Sequence, residues 1–162
     1  MSRGYDNNNP GNIRITESYW IGEITGSDAS FKTFESMAWG YRAMIVLLYG
    51  YIDKGYNTIS KIINRWAPGI ENNTTAYINH VVALTGIGQD TIIVKDDEQS
   101  IEKLIAAIAL HENGTAADIT QIAEGYQLTG QVAVAKTVGL SSAAIIFVSA
   151  LGYIAYQIFK AK

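Results

Sequence analysis

The chain has 162 residues, with 12 Lys and Arg against 15 Asp and Glu, two His and no Cys. That length suits one domain with a core of its own, and a net charge of −3 offers no field for a polyphosphate, so nucleic acid is excluded as an expected partner. Without cysteine there are no disulfides, thiol nucleophiles or thiolate metal sites; two histidines, His80 and His111, make no metal motif, and neither a metal nor a cofactor is expected.

Residues 1–36 are rich in Asn, Gly and Ser and lack a helical period, which predicts loops with a short hairpin around residues 19–34. Apolar residues then recur at helical spacing over 37–53, with Gly55 as a stop. Asn57 or Thr58 caps a second helix reaching about Trp66, where Pro68 interrupts. Thr74 or Thr75 opens a third, which ends near Thr85 before Gly86 and Gly88. A fourth runs from about Asp97 to about Glu112 and stops at Gly114. A short fifth, over 116–124, is expected to end at Gly125.

Charge then divides the chain. Residues 1–126 hold all fifteen acids and nine of the basic residues, a balance of −6, whereas residues 127–162 hold only Lys136, Lys160 and Lys162. Between Lys136 and Lys160 there is no charge, and the 22 residues 138–159 read VGLSSAAIIFVSALGYIAYQIF. At about 1.5 Å per residue such a helix reaches roughly 33 Å, enough for a hydrocarbon core. Its serines can bond to their own helix carbonyls, and Tyr153, Tyr156 and the flanking lysines suit an interface. A buried core helix is the alternative, although such helices are usually shorter and are seldom apolar on every face. The expected organisation is therefore a mainly α domain at 1–126, a linker at 127–137, a transmembrane helix at 138–159 and a basic tail at 160–162. The polar start MSRGYDNNNPG has no apolar segment of the signal-peptide kind.

Three segments are candidates for chemistry. In LIAAIALHENG, Glu112 emerges at the C-terminus of a nearly all-apolar helix, where burial and the helix dipole both disfavour a second negative charge. That is the tuning a general acid needs, although an exposed terminal Glu is the plainer reading. In NNNPGNIR (residues 7–14), Asn9 and Asn12 offer paired donors and acceptors for sugar hydroxyls and amides, while Asn-Pro-Gly-Asn is also ordinary turn chemistry. In WAPGIENNTTAYINHV (residues 66–81), Trp66 is a sugar platform or a core residue. Glu71 there is a second acid or a first-turn carboxylate, and Tyr77 is a site phenol or half-buried packing. Asn72 opens an Asn-Asn-Thr triplet that fits a glycosylation sequon but better fits a helix cap. No phosphate loop, HExxH or Ser-His-Asp set is present.

Taken in order, NNNPGNIR, Trp20-Ile21-Gly22, FKTFESMAWGYRAMIVLL, TISKIINRWAPGIENNTTAYINHV, AIALHENG and IAEGYQLTG resemble a group of phage and prophage virion proteins and lysozyme-like peptidoglycan hydrolases. The resemblance covers residues 3–130 and implies a lysozyme-like fold. A second likeness is to bacterial N-acetylglucosaminidases and lytic transglycosylases, in which a Glu-bearing helix precedes segments like residues 10–13, 20–22 and 31–36. Here that helix follows them, as His111-Glu112-Asn113-Gly114, an order that a circular permutation explains. By this resemblance Glu112 is the catalytic acid with Tyr77 beside it. Asn9, Asn12, Trp66 and Asn72 would contact substrate, and Glu23, Glu35 or Glu71 would be any second carboxylate. The implied activity is cleavage of peptidoglycan glycan strands by a virion-borne or host-envelope protein, with a lipid bilayer and other virion proteins as further partners. A structural virion membrane protein that keeps the fold without catalysis is the alternative, and a Glu112 neutralised by Arg14 or Arg42 would favour it. A peptidoglycan-binding module is a third reading.

Overall fold

The computed structural model describes residues 2–69 and 73–137. Among them are six helices and one two-stranded sheet: α1 Arg3–Asp6, β1 Glu23–Ile24, β2 Thr33–Phe34, α2 Met37–Asp53, α3 Ile59–Trp66, α4 Thr74–Thr85, α5 Glu98–Asn113 and α6 Ile119–Thr137. The domain is mainly helical, as the periodicity predicts.

Local chemistry sets most boundaries. Thr58 accepts from the Lys61 N–H, Asn73 from Ala76 and Asp97 from Ser100, each satisfying a donor in a helical first turn. At the other ends, Gly86 and Gly114 stand in the left-handed conformation, where a β-carbon is costly, and so terminate α4 and α5. Before α2 the chain is irregular, as expected, but Ser2 caps one turn of helix that the Asn-rich composition hides. The hairpin is shorter than its predicted span: Glu23 pairs with Phe34 and Ile24 with Thr33, antiparallel. Within it Lys32, buried to 3%, binds the Glu23 carboxylate at 2.8 Å.

The core is one cluster. Trp39, Tyr41, Met44, Ile45 and Leu48 of α2 meet Ile59, Ile62 and Ile63 of α3, Val81 of α4, Ile101, Leu104, Ile105 and Ile108 of α5 and Ile122 of α6. Helix α2 lies at its centre and packs most extensively against α6.

The fifth predicted helix needs correcting. Instead of stopping at Gly125, α6 runs on to Thr137, so the expected linker at 127–137 is helical. Gly125 is a contact residue, not a stop: a β-carbon there would lie 2.9 Å from the Ala38 carbonyl oxygen, the Arg42 nitrogen and the Tyr41 β-carbon. The absence of a side chain lets α6 approach the α2 backbone, a need that outweighs the roughly 1 kcal/mol helical cost of glycine. No helix among the described residues is long and apolar enough to cross a membrane. The predicted span 138–159 and the basic tail lie outside the described residues.

Candidate active site

Helix α5 delivers Glu112 by simple register. Leu104 and Ile108 are fully buried, and Glu112 follows at the same four-residue spacing, so the face that seals the core becomes polar in its last turn. The carboxylate is half-buried and held on both oxygens. The Tyr77 hydroxyl of α4 donates to Oε1 at 2.9 Å, and Asn12 Nδ2 of the N-terminal loop donates to Oε2 at 3.0 Å. Three of the six site residues expected from the sequence thus meet at one point, although they come from three distant segments.

Tyr77 is 2% exposed. Burial first, and the Glu112 carboxylate second, push its phenol far above the ordinary tyrosine range, so it is a permanent donor. The next residue on that face of α4, His80, places Nδ1 2.9 Å from Nδ1 of His111. The His111 ring lies flat against Tyr77, with centroids 3.5 Å apart and planes 9° from parallel. Burial and the neighbouring His80 hold His111 below its ordinary range, against a smaller opposing effect of Glu112.

The Asn-rich loop is built around its own amides. Asn8 and Asn12 take positive φ values of 50° and 48°, a region that asparagine tolerates better than other residues with a β-carbon. Asn9 lies between them, fully buried; its Nδ2 donates to the Ile13 and Lys32 carbonyls, and its Oδ1 accepts from the Ile13 N–H. The expected glycan contact of Asn9 is therefore corrected: its hydrogen bonds are spent on the turn. Asn113 ties the loop to α5 by donating to the Pro10 carbonyl at 2.7 Å and accepting from the Ser2 hydroxyl at 2.7 Å. Gly4 makes this approach possible, since a β-carbon there would collide with Asn113 Oδ1 and stand 2.8 Å from Asn12 Oδ1.

Beside Asn12 opens a cleft of about 360 Å³, lined by Gly11, Arg14, Trp20, Tyr51 and Trp66 among others. The volume lies in the range of small-molecule sites. Trp66 is half-buried and edge-on to Tyr51, with centroids 6.4 Å apart, so it is both a packing residue and a cleft wall. The Trp20 indole N–H is buried without a hydrogen-bond partner among the described residues. Asn12 is shared by the Glu112 cluster and the cleft; Glu112 itself is not one of the cleft's lining residues.

The suggested second carboxylates fare differently. Glu23 is engaged by Lys32 and by the Trp20 N–H, and Glu35 is exposed just before α2. Glu71 and Asn72 lie outside the described residues. Arg42, one of two proposed neutralising partners, is instead buried with its guanidinium 6.0 Å from the Trp39 ring centre, and burial lowers its pKa to about 10. Arg14 lies over Phe31, 5.5 Å from that ring centre. His80, His111 and Asn113, to which the sequence assigns no role at the site, are also brought to it. The i, i+3 spacing of Tyr77 and His80 carried that signal, since it puts both on the α4 face that meets α5.

No family model matches the chain. It is 37% identical over 119 residues to Protein P5 of Pseudoalteromonas phage PM2, a match covering 70% of this chain and 72% of that protein. The chain belongs to that bacteriophage protein's family.

Proposed function

We propose that this member of the phage PM2 Protein P5 family cleaves the glycan strand of bacterial peptidoglycan, with Glu112 as both general acid and general base. The observation that carries the proposal is the double clamp on one carboxylate, from Tyr77 and from Asn12, the latter also lining an aromatic-walled cleft. The lysozyme-like kinship suggested by the sequence motifs is part of the same reading.

Cleavage of lytic transglycosylase type suits a single acidic residue. Protonated Glu112 gives its proton to the glycosidic oxygen as the C1–O bond breaks. The resulting carboxylate takes the proton of the muramoyl 6-hydroxyl, whose oxygen bonds to C1 and closes an anhydro ring. The substrate supplies its own nucleophile, so no second carboxylate is required; a two-carboxylate glycosidase would need one at roughly 5–9.5 Å. Tyr77 and Asn12 hold the carboxyl in place through both proton transfers. Trp66 and Trp20 supply flat apolar walls for sugar faces.

The uncharged run at 138–159 supports a membrane anchor, which would hold the domain at a virion membrane or in the host envelope during entry or exit. Other virion proteins are then further partners.

The second reading, a structural virion protein without catalysis, is favoured by one observation: both Glu112 oxygens are already engaged by protein donors. A zymogram on sacculi with the full-length protein in detergent, with products analysed for anhydro ends, separates the two. Wild type clears sacculi and leaves anhydromuramoyl termini, whereas Glu112→Gln does not. Equal clearing by both proteins overturns the assignment of Glu112, and no clearing by wild type supports the structural reading.

A further inference from the structure

His80 and His111 stand on neighbouring helices with their Nδ1 atoms 2.9 Å apart. At that separation one Nδ1 carries a hydrogen and the other accepts it. The neutral pair meets this condition. The singly protonated pair meets it better, because the bond becomes charge-assisted. With a second proton both Nδ1 atoms carry hydrogen, the acceptor is gone, and two positive charges face each other at contact distance. The pair therefore has two permitted proton counts and one forbidden one.

Nothing in the acid–base chemistry of Glu112 uses this pair, yet His111 reaches that chemistry through Tyr77. Its ring covers the Tyr77 ring at 3.5 Å, and the Tyr77 hydroxyl is one of the two donors to the Glu112 carboxylate. The charged and titratable groups facing His111 are His80 and Tyr77 from α4 and Glu112 from α5 itself. The loop that closes the site presents the uncharged amide of Asn12 to Glu112. Among the described residues of α1, α2 and α6, which also touch α5, no charged group perturbs His111.

We propose that the His80–His111 pair is a proton-counting positioning device for the Glu112 site. With at most one added proton it keeps the His111 ring stacked on Tyr77 and the phenol aimed at Glu112, and the second proton releases both. Burial and the proximity of His80 both disfavour charge on His111, which puts the release on the acid side of the ordinary histidine range. As a functional device it rests on the assignment of Glu112 above. The conformational release itself does not, and it is read separately.

The test uses the full-length protein in detergent micelles, with NMR of the Tyr and His rings followed from about pH 8 to pH 4.5, through and below the ordinary histidine range. In wild type the Tyr77 ring signals, shifted by stacking, move toward exposed values as the second histidine proton binds. In His80→Gln the partner keeps an amide oxygen that accepts from a protonated His111, so the Tyr77 signals stay in place through that range. The ratio of sacculus clearing at about pH 5 to that at about pH 7.5 rises in His80→Gln relative to wild type. His80→Lys, a permanent cation that donates to the neutral His111 Nδ1, keeps the Tyr77 signals stacked at neutral pH and releases them when His111 binds a single proton. Tyr77 signals unmoved in wild type, or moving alike in wild type and His80→Gln, overturn the device. If the ring signals behave as stated but the clearing ratio is unchanged, the pair does not act on catalysis. If Glu112→Gln clears sacculi like wild type, the assignment of Glu112 fails while the NMR arm still decides the release.

Discussion

Tyr77 and Glu112 are separated by 35 positions in sequence and joined by a 2.9 Å hydrogen bond in which a buried phenol donates to a half-buried carboxylate. The bond is the narrowest link between α4 and the proposed chemistry. Tyr77→Phe keeps the stacked ring and the packing but removes this donor. A hydrogen bond to a charged group contributes about 1.5–3 kcal/mol, so glycan clearing should fall by roughly 10- to 100-fold. The far-ultraviolet circular dichroism should change little, and a clearing rate equal to wild type would remove Tyr77 from the site.

Asn12 combines a backbone role and a side-chain role, and two substitutions separate them. Asn12→Gly tolerates the 48° φ and loses only the amide that holds Glu112. Asn12→Ala loses the same amide and adds the left-handed strain, about 1 kcal/mol. Both should reduce clearing to a similar degree, while urea unfolding shows the alanine variant less stable by that further amount.

Gly125 tests the packing of α6 on α2. Gly125→Ala gains helix propensity, yet its β-carbon meets two backbone atoms 2.9 Å away, which cannot swing aside as a side-chain tip does. Overpacking should prevail and cost about 1–3 kcal/mol, measured as a lower unfolding midpoint. A gain in stability would mean that the helices separate at little cost.

Acid sensitivity of the fold should trace to Asp28. The Arg3 guanidinium, and then the Ser30 N–H, hold its carboxyl well below the usual carboxylate range. A carboxyl held low in the folded state contributes stability that is present above its unfolded pKa of roughly 4 and lost as pH falls below that value. Thermal midpoints recorded from about pH 6 to pH 2 should therefore decline less steeply for Asp28→Asn than for wild type. Parallel curves would show that the pair contributes nothing.

Helices α3, α4 and α5 were legible because they carry their own punctuation: capping Thr58, Asn73 and Asp97, stopping Gly86 and Gly114, and apolar residues at helical spacing between them. The length of α6 was not, because Gly125 reads locally as a stop and only the surface of α2 reveals it as a contact. The same distinction holds at the site. Glu112, Tyr77 and Asn12 were recognisable one by one as residue types suited to glycan chemistry. Asn9 had the same side chain as Asn12, and composition could not say that one amide is folded inward and the other aimed at a carboxylate. The histidine pair depends on the separation of α4 from α5, a quantity that no local pattern encodes.

The unbroken course of α6 through Gly125 has a mechanical corollary. The same helix that closes the core continues for twelve residues past Gly125, about 18 Å of unbroken helix. The direction in which Thr137 leaves the domain is thus set by helical phase. One residue inserted after Gly130 would turn the domain by about 100° about that helix, and three or four would nearly restore it. Spacer length in this family should accordingly act as an aiming parameter with the period of a helix turn, not as slack.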